Sequence, residues 1–204
     1  MNNEIILHNS LHPLLEQLKK CNLPLLSREK LLSHRPKVVW DFTICTTEEK
    51  RALFKELRNL GVVVIHSDLT CAHGEKLINE FEQVQSAFAL ACFSPQSAYE
   101  LWQRNEDAEF GILEKLPYQP VLVSSPGHAF IYPRVVATLI NESRFARHDQ
   151  LASSADLDNA MKFGVNYPLG LIEWENKIGP AIIDAILDDL KSETGSERYA
   201  SVKL

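Results

Sequence analysis

Glycine is scarce in this sequence, and no pair of glycines has the spacing that a phosphate-binding loop requires. Eight glycines occur among 204 residues, and no two of them are separated by a single residue. The dinucleotide fingerprint G-x-G-x-x-G depends on such spacing, because only glycine lets the backbone approach a pyrophosphate at the start of a helix. The sequence therefore contains no standard phosphate cradle, and a P-loop is absent for the same reason.

Cysteine is rare as well, and its positions are far apart. No two cysteines lie closer than 21 positions, so the sequence has no C-x-x-C motif. A zinc ribbon or a thioredoxin-type redox pair is therefore not expected, and buried free thiols are predicted instead. The four positions are Cys21, Cys45, Cys71 and Cys92.

Motifs for metal binding and for serine catalysis are equally sparse. His8 and His12 have the spacing of two ligands on one helix face, but Pro13 follows directly. No acidic or cysteine partner lies at ligand spacing from them, so we predict no metal site. The sequence also lacks a G-x-S-x-G motif, and Ser-His-Asp catalysis of the hydrolase type is not expected.

Long apolar runs and clusters of positive charge are missing. The longest apolar run, residues 87–93, has seven residues, whereas a membrane-spanning helix needs about 18. The first residues have neither the basic start nor the apolar stretch of a secretory signal, so a cytoplasmic location is predicted. The net charge is −6 without a basic block, so a nucleic-acid partner is not expected.

What the sequence does contain is typical of a folded chain of one large or two small domains. Hydrophobic residues make up 45% and charged residues 24% of 204 positions, close to the average for soluble proteins. Residues 38–93 alternate between strand and helix patterns, which predicts a parallel sheet covered by helices. The predicted elements are a strand at 38–44, a helix between the capping box Thr46/Glu49 and Gly61, a strand at 62–65, a helix through Leu77, Phe81 and Val84, and a strand at 87–93.

Other segments complete two units. The weaker elements of the first unit are a strand at 4–7, a helix at 11–20, a helix at 97–104, a connection at 111–119 and a strand at 121–123. From Pro126 onward only helical patterns occur, and the last helix begins at Pro180 and ends at Gly195. Two further helices are predicted over 135–145 and from Ser153 or Ser154 to Gly164. We therefore expect an α/β unit at 1–123 and a helical unit at 124–204.

Several segments of the helical unit occur in the order of a known family. The segments are Pro126-Gly127, 139–142, 156–164, 167–170, Glu173, Gly179 and 194–199. They resemble the C-terminal domain of the L-3-hydroxyacyl-CoA dehydrogenase family, and the run K-x-G-x-x-Y-P-x-G at 162–170 is fairly specific. This resemblance implies a family of NAD-dependent oxidoreductases in fatty acid metabolism that dimerise through the helical domain.

A weaker resemblance to the same family covers the α/β unit. Residues 41–57 are similar to one strand and helix of the family's nucleotide-binding domain, and residues 62–77 lie where the family has S-N-T-S-S-L. Residues 91–95 lie where it reads H-F-F-N-P. The resemblance implies a truncated Rossmann-like sheet, because only 37 residues precede Val38, fewer than the family uses there. The chain also ends before the family's final helical segment.

The positions that carry the family's chemistry are replaced in this sequence. The family's histidine base falls at Ala91, and its glutamate partner, twelve residues later, falls at Gln103. A His–Glu pair accepts the hydroxyl proton during hydride transfer, whereas alanine and glutamine cannot. The family's substrate-orienting asparagine falls at Pro133, its serine at Thr70 and the asparagine of H-F-F-N-P at Ser94. We therefore expect no intact catalytic residues and no bound cofactor.

A relocated site is the alternative interpretation. Residues His66, Asp68, Thr70 and His73 follow a buried strand, at the edge where open α/β sheets bind ligands. Either histidine could act as a base with Asp68 orienting it. We favour the interpretation that Asp68 or Thr70 caps the next helix and that both histidines are solvated. His128 is likewise expected at the surface at a helix start.

Three functions remain open at this point. The favoured one is a degenerate family member, without hydride transfer, that binds or supports components of acyl-CoA metabolism; an acyl-CoA ligand is left open. The second is an active family oxidoreductase with a rearranged site that uses Thr70, and the third is an interaction subunit of a full-length dehydrogenase.

The aromatic and aliphatic residues of the sequence predict its contacts. Trp40, Trp102 and Trp174 are expected in the core or at an interface. The apolar stripe of the last helix is wider than one short helix can bury, so a second copy is expected to cover it in a two-fold dimer. The stripe consists of Ile182, Ile183, Ile186, Leu187 and Leu190.

Overall fold

A computed structural model describes residues 3–9, 11–92, 97–105 and 110–202, and their strands form one seven-stranded sheet. The strands are β1 (Glu4–His8), β2 (Leu25–Leu26), β3 (Val38–Phe42), β4 (Val64–Asp68), β5 (Val84–Phe88), β6 (Ala98–Gln103) and β7 (Gln119–Leu122). Their order is β2-β1-β3-β4-β5-β6-β7. Only β5 and β6 pair in antiparallel orientation. The predicted Rossmann-like sheet with a helical second part is confirmed.

Helices cover the sheet and then form the second part of the chain. The α-helices are α1 (Leu15–Leu18), α2 (Leu31–His34), α3 (Thr47–Asn59), α4 (Gly74–Glu80), α5 (Tyr132–His148), α6 (Ser154–Asn159), α7 (Leu171–Ile178) and α8 (Pro180–Thr194). Short 3-10 helices span Arg28–Lys30, Gly111–Lys115 and Glu197–Tyr199, and a π-helical turn spans Ala160–Gly164. The helices from α5 to α8 form the helical part that was predicted, and α7 is an additional helix between the predicted ones.

Local signals placed the start and the end of the long helices correctly. The hydroxyl of Thr46 accepts a hydrogen bond from the Glu49 N–H, and the Glu49 carboxylate accepts one from the Thr46 N–H at 2.9 Å. This is the predicted capping box of α3. Helix α8 begins with Pro180 and ends at Gly195, whose φ of +66° suits glycine.

The prediction of a helix at 97–104 is wrong. This segment is strand β6, in which Tyr99 and Leu101 are buried and their neighbours are more exposed. A burial period of two belongs to a strand, and pairing with β5 provides the hydrogen bonds. Other limits shift by a few residues: the helix predicted at 11–20 shortens to α1, α4 ends before Phe81, Val84 begins β5, and β5 ends at Phe88.

Three apolar clusters hold the molecule together. One lies between the sheet and helices α3 and α4, and the second covers the other face of the sheet. The third is the core of the helical part, and it includes Ile44, Cys71, Ala91 and Cys92 from the α/β part. Because this core is shared, the two parts pack directly against each other; the domain boundary after residue 123 stays a prediction.

The predicted positions of the three tryptophans are confirmed, whereas the prediction for the apolar stripe of α8 is not. Trp40 and Trp174 are buried and Trp102 packs at the edge of a core cluster, as predicted. The prediction that the stripe of α8 awaits a second copy is wrong, because all five of its residues are at most 3% exposed within one chain. They pack into the core formed with α5 and α7. No helix among the described residues has the length and apolar character to cross a membrane.

Candidate functional site at the carboxyl edge of the sheet

A buried histidine–aspartate pair lies at the carboxyl end of β4. The His12 Nε2 atom, in the loop between β1 and α1, lies 3.0 Å from Asp68 Oδ2. The other carboxylate oxygen accepts hydrogen bonds from the backbone N–H of Thr70, at 2.8 Å, and from its hydroxyl. All three residues are at most 2% exposed, so this network is closed to solvent.

The hydrogen bonds of His12 define its protonation. The Leu14 N–H donates to His12 Nδ1 at 3.2 Å, so Nδ1 is an acceptor and the proton lies on Nε2, which donates to Asp68. Burial by itself would raise the pKa of the Asp68 carboxyl, but the hydrogen bonds from His12 and Thr70 hold that pKa below its usual value. The pair is thus a neutral imidazole donating to a carboxylate, with no free lone pair on the histidine for a substrate proton.

Sequence patterns did not reveal this pair. His12 and Asp68 are 56 positions apart, and they meet because β1, β3 and β4 are neighbours in a parallel sheet. The histidines at 8 and 12 do not share a helix face, because His8 ends β1 and His12 precedes α1. Among the described residues, no group of three or more His, Cys, Asp or Glu could hold a metal ion.

A second buried network lies at the end of β3. The Lys50 ammonium group donates to Asp41 Oδ2 at 2.8 Å and to the carbonyl oxygen of Thr43 at 2.6 Å. Ser67 donates to the same carboxylate oxygen at 2.5 Å. Burial would lower the pKa of Lys50, but Asp41 raises it above its usual value, so the lysine stays charged. The sequence analysis missed this pair, which fixes the first turns of α3 on the sheet.

The sheet order places a topological switch point between β1 and β3. The chain leaves β1 toward β2 on one side, whereas β3 lies on the other side, and dinucleotides bind in the crevice at such a point. Here the side chain of Asn9 bridges the crevice: its amide donates to the Ile44 carbonyl at 2.7 Å and accepts from the Ile44 N–H at 3.3 Å. A cavity of about 490 Å³ remains outside this bridge, bordered by His8, Arg28 and Cys45.

The residues around this crevice do not fit the NAD that the family resemblance implies. No glycine occurs between Asn9 and Leu14, so side chains stand where the backbone would have to approach a pyrophosphate. The helix that follows, α1, has four residues and no side-chain cap. Asn9 and the buried ring of His12 occupy the turn instead.

The positions that the resemblance aligned with catalytic residues are dispersed. Ala91 is fully buried, and its N–H donates to the Thr70 hydroxyl at 3.4 Å. Pro133 lies in the first turn of α5, and Gln103 is opposite Ser86 in the β5–β6 ladder. Ser94 lies outside the described residues. The structure thus brings Thr70 next to Ala91 but leaves Gln103 further along the sheet.

Glu100, which was not predicted from the sequence, lies closer to Ala91 along the sheet than Gln103 does. The Ala89 N–H donates to the backbone carbonyl of Glu100 at 3.1 Å, so Glu100 is bonded to a residue two positions before Ala91. Its carboxylate accepts from the N–H groups of Ile131 and Tyr132, the latter at 2.8 Å. Glu100 therefore caps the start of α5. Counting twelve residues onward from Ala91, as the family spacing requires, leads to Gln103 and not to Glu100. The spacing does not reveal Glu100 because it takes no account of which residues face each other across β5 and β6.

The four candidates for a relocated site do not form one cluster. Asp68 and Thr70 are together, whereas His66 stacks on Trp40 with ring centroids 4.0 Å apart and bonds to Ser86 at 2.8 Å. Burial lowers the pKa of His66 to about 4. His73 is buried and His66 is partly buried, so the expectation that both are solvated is wrong. Asp68 bonds to Thr70, and α4 has no side-chain cap.

His73 and His128 meet at the boundary of the two parts. Their Nε2 atoms are 3.3 Å apart, and Glu193 of α8 lies 3.7 Å from Nδ1 of His73. Burial and the nearby His128 lower the pKa of His73. His128 is thus half-buried in an interdomain contact rather than a plain surface residue. Cysteines 21, 71 and 92 are free and buried, as predicted, and Cys45 is partly exposed.

Comparison with known proteins assigns the helical part. Residues 130–204 match the family model described as 3-hydroxyacyl-CoA dehydrogenase, C-terminal domain. The 3-hydroxyadipyl-CoA dehydrogenase of Escherichia coli (strain K12) is 41% identical over 71 residues, which are 35% of this chain and 15% of that protein. A 3-hydroxybutyryl-CoA dehydrogenase of Clostridioides difficile is 34% identical over 96 residues, 47% of this chain and 34% of that protein. The matched segments thus span about a third or less of these relatives.

Solved structures extend the likeness to the whole fold. The (S)-3-hydroxybutyryl-CoA dehydrogenase PaaH1 from Ralstonia eutropha superposes with a TM-score of 0.59 at 18% identity, over 88% of this chain and 66% of that one. FadB2 of M. tuberculosis gives a TM-score of 0.61 at 17% identity, over 87% and 67% of the two chains. At this identity the superpositions establish the fold alone.

Proposed function

We propose that this chain, a member of the 3-hydroxyacyl-CoA dehydrogenase family through its C-terminal domain, does not transfer hydride. It acts instead as a binding or structural protein in acyl-CoA metabolism. The observation that carries the proposal is the closed His12–Asp68 pair at the carboxyl edge, in which neither side chain is more than 1% exposed.

The family positions support the same conclusion. Ala91 has no group that accepts a proton, and the carboxylate of Glu100 is engaged by the start of α5. Loss of general base catalysis costs about 10²–10⁴-fold in rate. The bridge of Asn9 to Ile44 across the crevice adds a loss of cofactor binding. The missing base at Ala91 and the bridged crevice would each slow hydride transfer, and the two defects are independent of each other.

Two measurements on the full chain test this proposal. In a fluorescence titration, NADH should give no saturable signal in the micromolar range. In a spectrophotometric assay with 3-hydroxyacyl-CoA and NAD, absorbance of NADH should not rise above the rate without protein. An active dehydrogenase of the family, assayed in parallel, is the positive control. Saturable NADH binding or turnover by the purified chain contradicts the proposal.

An active oxidoreductase with a rearranged site is the second candidate. It is favoured by the position of the Asp68–Thr70–His12 network, at the edge where α/β sheets bind ligands. On that view, Asp68→Asn should abolish any turnover of 3-hydroxyacyl-CoA, while Cys45→Ser should not. This candidate is rejected if the unmodified chain shows no turnover of 3-hydroxyacyl-CoA. It is also rejected if Asp68→Asn turns over the substrate as fast as the unmodified chain.

Association with another chain remains part of the proposal. The α8 stripe is unavailable, but six large apolar side chains are exposed among the described residues of the helical part, and three of them are Leu151 at 75%, Phe163 at 83% and Val165 at 56%. A second copy or a full-length dehydrogenase bound there would bury them. The exposure of these three side chains is the support for an isologous dimer through the helical domain.

A further inference from the structure

A cavity on the helical part is separate from the sheet edge. It has a volume of about 510 Å³ and lies between the start of α5 and the 3-10 helix Glu197–Tyr199. This volume is in the range of small-molecule sites. Its lining includes aliphatic residues of α5 and its preceding turn, two arginines, and the polar side chains of Ser125, His128 and Thr138. No acidic residue is among the described residues that line it.

The apolar side of the cavity is open. Ile131 is 70% exposed and Val135 is 49% exposed. Because they are four residues apart at the start of α5, they lie on the same face of the helix. Leu139 continues the row at the next turn and also lines the cavity. The row extends over about 12 Å, since a helix rises about 1.5 Å per residue.

The charged side of the cavity is held in place by a buried tyrosine. The Nε atom of Arg134 donates to the Tyr199 hydroxyl at 2.9 Å, and its Nη2 donates to the same oxygen. The guanidinium also lies 5.4 Å from the centre of the Tyr199 ring, and Tyr199 is 3% exposed. Two of five guanidinium N–H groups are thus used, which leaves donors toward the cavity.

Neither arginine of the cavity has a carboxylate partner in the part of the chain that the structure describes. Arg144 and Arg147 of the same helix both pair with Glu175, at 2.6 Å and 3.2 Å. In contrast, Arg134 bonds to a neutral phenol, and the side chain of Arg198 is exposed. Two guanidinium groups without a carboxylate partner among the described residues thus line one cavity of a chain whose net charge is −6.

We infer that this cavity binds an anionic amphiphile. Its carboxylate or phosphate head would accept hydrogen bonds from Arg134 and Arg198, since guanidinium groups match both anions in geometry and charge. Its apolar body would cover Ile131 and Val135. The inference does not depend on whether the chain transfers hydride, because His12, Asp68 and Thr70 do not line the cavity.

Calorimetric titration of the full chain below the critical micelle concentration tests the site. The probes are octyl phosphate, octanoate, octanol and inorganic phosphate. We expect octyl phosphate or octanoate to bind at least about tenfold more tightly than octanol and inorganic phosphate, because charge-assisted hydrogen bonds and apolar contact both contribute. Preference between the two anions identifies the head group. Equal binding of octanol, or equal binding of inorganic phosphate, overturns the inference.

Variants locate the binding. Arg198→Gln should weaken the anionic probe about tenfold or more without changing the melting temperature, because its side chain has no hydrogen-bond or ion-pair partner in the part of the chain that the structure describes. Ile131→Ser should weaken octyl phosphate but leave the weak signal of inorganic phosphate unchanged. Arg58→Gln, on the distant face of α3, is the matched control for removing one positive charge and should bind like the unmodified chain. Unchanged binding by Arg198→Gln overturns the inference.

Discussion

Asp189 of α8 caps helix α3 from the other side of the molecule. Its carboxylate accepts hydrogen bonds from the Thr47 N–H at 2.9 Å and from the Thr47 hydroxyl at 2.6 Å. The Thr47 hydroxyl in turn accepts one from the His73 N–H at 2.8 Å. A carboxylate at a helix N-terminus is favourable, and this one joins the α/β part to the helical part across 142 positions of sequence.

The first prediction concerns this cap. Asp189→Ala should lower the free energy of unfolding by about 1–3 kcal/mol, because it leaves the buried N–H and hydroxyl of Thr47 unpaired. Asp188→Ala, an exposed neighbour on the same helix, is the control and should change stability little. Urea denaturation measures both. Equal stability of the two variants would show that the cap contributes nothing.

The second prediction concerns His66 and pH. Its folded pKa is about 4 against 6.5 in the unfolded chain, so the unfolded state binds more protons in this window. The contribution of neutral His66 to the free energy of unfolding is therefore complete above pH 6.5. This contribution decreases as the pH drops toward 4, by about 3 kcal/mol in total.

Urea titrations at several pH values between 4 and 7 test this dependence. His66→Gln should flatten the slope of unfolding free energy against pH, whereas the exposed His34→Gln should retain it. Asp189, whose pKa burial raises to about 6, acts in the opposite direction: its folded form holds the extra proton, so its contribution grows as the pH falls from 6 to 4. The same slope in the unmodified chain and in His66→Gln would be the contrary result.

The third prediction concerns the Lys50–Asp41 pair. Lys50→Met should destabilise the chain by about 3–5 kcal/mol, because it leaves the Asp41 carboxylate buried without its charged partner. The double variant Lys50→Met/Asp41→Asn should recover part of this loss. Lys55→Met, whose side chain is 52% exposed, is the control in the same helix. If the single and double variants unfold at the same urea concentration, the pair does not carry this energy.

The fourth prediction concerns association. At micromolar concentration, light scattering should give the mass of a dimer for the unmodified chain, and Phe163→Asp should give a monomer, because a charge at the centre of an apolar contact is costly. Leu122→Asp is the control: this residue is also exposed, at 64%, but lies on edge strand β7. A monomeric mass for the unmodified chain rejects the dimer.

Part of the candidate site was accessible to sequence reasoning, and part was not. The edge after β4 was identified correctly as the place where Asp68 and Thr70 lie together, because strand ends in a parallel sheet meet at one edge. The partner of Asp68 was not found, since His12 belongs to a loop that only the sheet order brings near. The same holds for Glu100, whose place depends on the register of an antiparallel pair.

The sequence by itself determined the features that depend on neighbours a few residues apart. The capping box of α3, the limits of α8 between Pro180 and Gly195, and the likeness of residues 130–204 to the C-terminal domain of 3-hydroxyacyl-CoA dehydrogenases follow from short-range patterns. The tertiary structure alone decided that residues 98–103 form a strand, that the stripe of α8 is covered within one chain, and that Asp189 caps Thr47. These outcomes depend on which elements become neighbours after folding, and local propensity contains no record of partners many tens of residues away.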